Sequence, residues 1–322
     1  LQGIVGAVTG PLNPTALPAT LGPAPLQDKQ PIDAMLRHRL PSLLAAAALL
    51  LAAAGTGAPA RAQTADEGFT FGPPDEAVEV PEPAPQRDPR AKAAERYAAC
   101  LDLARSEPDK AIERARTWQD TGGGDPARHC EAIAHMTRGD YHRAGRMLED
   151  LARTMPQDIG EAPRVNALSQ ASRAWLLGER PARAETAATQ ALEMQPDDVE
   201  LLLDRAHARF QAGAYWETID DLNRALEIAP ERADLYVYRG SAYRYVDAPT
   251  MARENLERAL KIDPDNVEAL FELGALARIQ GDTAAARERW MAVIRRAPES
   301  GLAQAARENL QQMDVRVDDP AG

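Results

Sequence analysis

Residues 191–196 read ALEMQP, residues 225–230 read ALEIAP and residues 259–264 read ALKIDP. The three strings lie 34 residues apart, and Pro298 continues the series set by Pro196, Pro230 and Pro264. The residues after the prolines agree as well: Asp197-Asp198, Glu231-Arg232, Asp265-Asn266. Small residues recur at the same spacing at Ser172, Ala206, Gly240 and Gly274, and again at Ala184, Thr218, Ala252 and Ala286. A fixed period of this size marks a stacked repeat, in which one unit cannot bury its own apolar face but neighbouring units can. Each unit reads as two antiparallel helices that approach closely at the two small sites. The turn between them carries Gly178, Gly213, Asp247 or Gly281, and the proline, which has no amide hydrogen to donate, ends the second helix. Large apolar residues fill the wedge between units: Leu168, Leu202, Tyr236 and Leu270 from the first helices, Ala188, Leu222, Leu256 and Trp290 from the second.

The period, the two small sites, the alanine near the end of the second helix and the closing proline together resemble the tetratricopeptide repeat family. That resemblance implies an all-α fold, a right-handed superhelical solenoid of antiparallel helix pairs with about six repeats and a C-terminal capping helix. Four units are clear: 165–198, 199–232, 233–266 and 267–300. Two degenerate ones precede them. The unit 125–158 holds Gly139-Asp140-Tyr141 and Ala144, the family's usual turn and second-helix start. Residues 157–163 are then an insertion. In the unit 91–124, Gly122-Gly123-Gly124 stands in place of the proline. After Pro298, the amphipathic spacing of Leu302, Ala305, Ala306, Leu310 and Met313 predicts the polar-faced helix that caps such a stack. The repeat domain is expected over 91–313, and 314–322 as a disordered tail.

Upstream of the repeats the sequence carries an address. Met35 is the first methionine; Arg37, His38 and Arg39 follow it, then twelve Leu and Ala residues from Leu43 to Ala54, then Ala60-Arg61-Ala62. A basic start, a short apolar run and a small-x-small site are the three parts of a secretory signal peptide, and the run is too short to span a bilayer as a helix. Residues 35–62 therefore read as a signal peptide whose cleavage leaves Gln63 first, with an uncut anchor as the alternative, and residues 1–34 as an upstream extension outside the mature protein. Residues 63–90, with six prolines and seven acids against two arginines, read as an acidic flexible linker. The expected location is the bacterial periplasm, with secretion as the alternative, and no membrane span remains after cleavage.

In an oxidising compartment the two cysteines, Cys100 and Cys130, become a disulfide candidate, the alternative being two small buried thiols. In the family register they fall in the first helices of units one and two, which pack side by side. Catalytic chemistry has little to stand on. No phosphate-cradling, dinucleotide or nucleophile-elbow motif occurs, and His129, His135, His142 and His207 have no metal-ligand spacing. These histidines read as structural or surface residues, and the doublets Asp197-Asp198 and Asp220-Asp221 as solvated charge. With 37 basic and 49 acidic residues and a formal net charge of −12, the chain lacks the basic footprint of a nucleic-acid binder. The expectation is a non-enzymatic chain with no metal and no cofactor.

A surface remains. The resemblance implies that first helices line a concave groove that holds a protein or peptide partner. The family register places Leu203, His207, Phe210, Val237, Tyr238, Ser241, Arg244, Tyr245, Phe271 and Arg278 on that face. Tyr236 and Tyr243 fall on the packing face, Tyr238 and Tyr245 on the neighbouring groove side. Aromatic and arginine side chains are common binding anchors. The alternative is that Tyr238 and Tyr245 fill the gap between units, and that Arg244 and Arg278 pair with nearby acids. The expected role is an interaction scaffold of the cell envelope. A self-associating protein whose groove takes another copy is the main rival, with an enzyme lacking any motif a distant third.

Overall fold

The computed structural model describes residues 89–317, so the expected extension, signal peptide and almost all of the linker lie outside the described residues, as does the end of the tail. Thirteen α-helices follow one another among the described residues, with no strand. Six pairs come first: α1 (Pro89–Ser106) with α2 (Pro108–Asp120), α3 (Gly124–Thr137) with α4 (Tyr141–Thr154), α5 (Ala162–Leu177) with α6 (Pro181–Met194), α7 (Val199–Ala212) with α8 (Tyr215–Ile228), α9 (Ala233–Tyr245) with α10 (Pro249–Ile262), and α11 (Val267–Ile279) with α12 (Thr283–Arg296). The last helix, α13 (Gly301–Val317), packs against α12 and α11. The helical stack therefore starts at Pro89 and runs to Val317, past the expected end at 313. The insertion is partly a short 3-10 turn, Gln157–Ile159, ahead of α5.

Each clear unit ends as the prolines dictate. Helices α6, α8, α10 and α12 stop two residues before Pro196, Pro230, Pro264 and Pro298, because the residue before a proline is driven out of the helical region. The next helix is then capped locally. Asp198 accepts from the amides of Glu200 and Leu201 at 2.8 and 3.1 Å, so this half of the Asp197-Asp198 doublet is a cap and not free charge. Asn266, two repeat periods later, accepts from Ala269 at 2.8 Å.

In the four clear units the turn inside the pair requires one left-handed residue. It falls at Glu179, Gly213, Asp247 and Gly281, with φ of 57°, 84°, 57° and 81°, and these positions keep the 34-residue period. Gly178 lies in the turn as expected, but its φ is −85°, and the left-handed residue is its neighbour Glu179. Gly178 is small for another reason: a Cβ there would meet His142 Cδ2 at 2.7 Å, and its carbonyl accepts from His142 Nε2 at 2.7 Å.

The core is a chain of apolar clusters running from the first pair to the cap. The small sites do what their size allows. Ser172, Ala206, Gly240, Gly274, Ala184, Thr218, Ala252 and Ala286 are all buried. Where a hydroxyl is present it bonds backbone: Ser172 Oγ donates to Ala184 O at 2.9 Å, and Thr218 Oγ1 to Ala214 O at 2.8 Å. The wedge residues are buried except Tyr236, which is half-buried. In the first two units Cys100 of α1 and Cys130 of α3 form a disulfide across adjacent first helices, with a Cα–Cα separation of 6.1 Å. The closed loop of 30 residues corresponds to about 3 kcal/mol of stabilisation on the chain-entropy account.

Candidate functional site

First helices lie side by side along the stack, α1 on α3, α5 on α7, α9 on α11, and α11 on α13. A polar or aromatic contact marks each junction between them. Tyr97 Oη donates to His129 Nδ1 at 2.7 Å, and His129 Nε2 meets Gln170 Oε1 at 2.6 Å. Ser169 Oγ and Arg173 Nε donate to the two oxygens of Asp204 at 2.8 and 2.9 Å. His207 meets the Tyr238 ring edge-on with centroids 4.5 Å apart. Arg244 Nε donates to Glu272 Oε2 at 2.9 Å, and Arg278 Nη1 to Asn309 Oδ1 at 3.3 Å.

This ladder consumes much of the predicted face. Leu203, His207, Val237, Tyr238, Ser241, Arg244 and Phe271 are buried, which corrects their reading as accessible anchors. Leu203, Val237 and Tyr238 belong to the central apolar cluster, and Phe271 packs beside Trp290, whose Nε1 donates to its carbonyl at 3.1 Å. Tyr238 and Tyr236 exchange roles. Tyr238 closes the junction against His207, whereas Tyr236 is half-buried with the guanidinium groups of Arg239 and Arg258 over its ring at 5.5 and 5.9 Å. Tyr243, expected in the core, is also half-buried. The physical reason is that an internal first helix touches its own second helix and the first helices on both sides, so a position turned toward the groove can still lie between helices.

Three of the predicted residues stay partly accessible. Phe210 and Tyr245 join Tyr215 in a cluster, Phe210 at 5.1 Å from each tyrosine and the two tyrosines stacked at 4.8 Å. Next to it Trp216 is 61% exposed, an aromatic that the sequence reading passed over. The Arg244 guanidinium lies 4.5 Å from the Tyr245 ring. Arg278 is half-buried and meets an amide, not an acid, so Arg244 and Arg278 share a repeat position but not a role.

The electrostatics follow from burial. Loss of water by itself would lower the Arg244 pKa, but the Glu272 charge beside it outweighs that and holds it above its ordinary value. Asp204 goes the other way: burial pushes its pKa up, and Arg173 and Ser169 only partly offset this. The acids Asp204, Asp221 and Glu272 are buried; of these only Asp221 is read from the sequence, as solvated charge. Asp221, the second half of the Asp220-Asp221 doublet, accepts from Arg205 Nη2 at 2.6 Å and Arg209 Nη1 at 2.9 Å, while Asp220 is exposed. Among the described residues no group of His, Cys, Asp and Glu is placed to hold a metal ion, and no helix is long and apolar enough to cross a membrane.

His129 yields a pH prediction. Burial lowers its pKa from the ordinary value near 6.5, and the Gln170 bond only partly offsets this. The unfolded chain therefore takes up the proton first as pH falls. Folding stability is complete above the unfolded value, and acid erodes it from about pH 6.5 downward, by at most about 1.4 kcal/mol per pH unit. Urea midpoints measured from pH 7.5 to 5 are expected to fall less in His129→Gln than in the wild type. Parallel curves would remove His129 as the cause.

Comparison with known proteins places this geometry. Two family models described as tetratricopeptide repeat match residues 233–266 and 255–288. No curated protein sequence matches the chain. Among solved structures, MamA 41-end from Desulfovibrio magneticus RS-1 is 19% identical, covers 58% of this chain and 97% of that one, and has a TM-score of 0.46. YrrB, a tetratricopeptide protein with an unusual peptide-binding site, is 20% identical over 54% of this chain and 88% of that one, with a TM-score of 0.46. The first tetratricopeptide domain of Spaghetti (RPAP3), bound to an HSP90 peptide, is 22% identical over 36% and 93%, with a TM-score of 0.35. Residues 233–288 thus match tetratricopeptide repeat models directly, and the same 34-residue register of helix pairs continues on either side of them.

Proposed function

We propose that this protein is a non-catalytic adaptor of the bacterial cell envelope that holds a partner's peptide segment against its first helices. One observation carries the reading. After the junctions have taken their share of the inner face, aromatic and charged side chains remain accessible along it in units four to six: Phe210, Tyr245, Glu268 and Arg278 are half-buried and half open. Aromatic and arginine groups with part of their surface dry and part wet are the usual anchors of a protein interface. The envelope location is supported by the signal-like residues 35–62 and by the Cys100–Cys130 bond, since such bonds persist in oxidising compartments.

Site-specific photo-crosslinking in the intact cell tests both parts. A crosslinker at position 278 or 210 is expected to give discrete adducts in the periplasmic fraction, and one at Arg258, exposed on the second helix α10, is expected to give none. Equal adducts from both positions would end the groove reading. An adduct with twice the mass of the chain would favour self-association, and a chain retained in the cytoplasm with its N-terminus ahead of Gln63 would end the export reading.

A further inference from the structure

The repeat allows one part of the inner face to be compared with another. Residues 169, 173 and 204 recur two periods later as residues 237, 241 and 272. Between units three and four, the buried carboxylate of Asp204 is fully used: Ser169 donates to one oxygen and Arg173 to the other. Arg173 does so from the groove side, with its side chain still 17% exposed. Between units five and six the carboxylate is Glu272, fully buried, but Val237 and Ser241 stand where Ser169 and Arg173 stood. Of the two Glu272 oxygens, Arg244 reaches only Oε2. Glu272 Oε1 has no protein donor, and the buried Ser241 Oγ has no protein partner. A buried acceptor left unmade costs its full desolvation, so two such atoms at one junction are a departure that calls for a partner.

A second difference points the same way. Glu200, Asp234 and Glu268 share one repeat position at the start of the first helices. Arg232 bridges the first two, to Glu200 and, at 2.6 Å, to Asp234. One period on, Arg232 is replaced by Asn266, which caps α11 instead, and Glu268 makes no ion pair among the described residues. Glu268 and Glu272 are four apart on α11 and so share one face. The acids of unit six thus lack the counterparts of both Arg173 and Arg232, and Arg244 pairs with Glu272 in their stead.

We propose that the inner face at the junction of units five and six receives an arginine side chain of the partner's peptide segment, seated on Glu272 and Ser241 where Arg173 sits on Asp204. This rests on the groove reading above and names what the groove recognises. The guanidinium donates to Glu272 Oε1 and to Ser241 Oγ, and Glu268 balances the second positive charge beside Arg244. Arginine suits the place better than lysine because its planar fork offers several donors to a carboxylate and hydroxyl at once. Because Glu272 is fully covered, the incoming group has to part the side chains above it, which favours a partner held along the groove over a free amino acid.

The probe is a set of fluorescent twelve-residue peptide pools, acetylated and amidated, random except for a fixed central Arg, Lys, Gln or Glu, titrated against the full chain. The Arg pool is expected to bind roughly tenfold more tightly than the Gln pool, with the Lys pool between them and the Glu pool weakest. Ser241→Arg, which fills the place from within as Arg173 does, is expected to abolish the preference and to raise the melting temperature. Glu268→Gln, on the accessible rim, is expected to weaken the preference without lowering the melting temperature, and keeps the test valid if Ser241→Arg folds poorly. If the four pools bind equally, the arginine site falls and the groove reading stands. If no pool binds, both fall. If the arginine preference survives Glu268→Gln and a folded Ser241→Arg undiminished, the recognition lies elsewhere and the assignment is wrong.

Discussion

Arg244→Ala is expected to destabilise the C-terminal units by about 3–5 kcal/mol, far more than removal of an arginine from a surface pair. Both partners are buried, with side-chain exposures of 4% for Arg244 and 0% for Glu272. Removing Arg244 leaves a buried carboxylate that has lost its one protein donor, since Glu272 Oε1 already lacks one. Glu272→Ala is expected to cost a similar amount, because it strands the Arg244 charge next to Tyr245. The pair itself is a different matter. Replacing both together by Met and Leu removes both desolvation penalties, and buried ion pairs replaced by apolar groups of similar volume are often neutral or stabilising. The double variant is therefore expected to recover most of the loss. Because a solenoid opens in parts, the measurement is native-state hydrogen exchange on the amides of α9 and α11, with a whole-chain urea midpoint beside it. A loss under about 1 kcal/mol for Arg244→Ala, or a double variant as weak as the worse single one, would show that the pair is not the buried unit described here.

That pair also shows where the sequence is legible and where it is not. The prolines and small residues set helix ends and helix contacts through local rules, so the period alone delivers the order of the helices and the four clear units. The turn itself is legible from its glycines, but in unit three the left-handed residue is not the glycine. Gly178 is off the period by one, and subtraction of 34 from Gly213 leads to Glu179, which has the positive φ. The inner face was harder. A mid-helix Asp204 or Glu272 has no local mark of burial, and the charge of Arg173 or Arg244 lies 31 or 28 residues away in sequence. What exposes them is again the register: Gln170, Asp204, Tyr238 and Glu272 share one position, and in each case it is the position that touches the first helix of the unit before. Reading a groove from repeat position says which way a residue faces. Whether it is accessible depends on the neighbouring helix, which the family pattern leaves free. For that reason Phe210, Tyr245 and Arg278 stay open while Leu203, Val237 and Ser241, also placed on the groove side, are closed.

A close contact between α11 and α12 sets the other large effect. Trp290 is fully buried in α12, and a Cβ on Gly274 of α11 would meet its ring at 2.5 to 3.0 Å. Trp290→Ala is expected to cost about 3–5 kcal/mol, the range for emptying a large aromatic from a packed core, with loss of the Nε1 bond to Phe271 O included. The repeats contain their own control series at these two positions. The same two repeat positions hold Ser172 with Ala188, Ala206 with Leu222, Gly240 with Leu256 and Gly274 with Trp290; the two glycines face the side chains of Leu256 and Trp290, and serine shares its unit with the smallest partner, alanine. Gly274→Ala alone is then a clash against a rigid ring, an overpacking cost of about 1–3 kcal/mol that the gain in helix propensity of roughly 1 kcal/mol offsets only in part. Trp290→Leu alone leaves a cavity beside Gly274. Combined, the two changes rebuild the Ala206–Leu222 contact of unit four, and the double variant is expected to be more stable than the sum of the single losses allows, a positive coupling of the kind that contacting residues show. Hydrogen exchange in α11 to α13 reads it. Strict additivity would mean that the indole and the glycine are not packed as a unit.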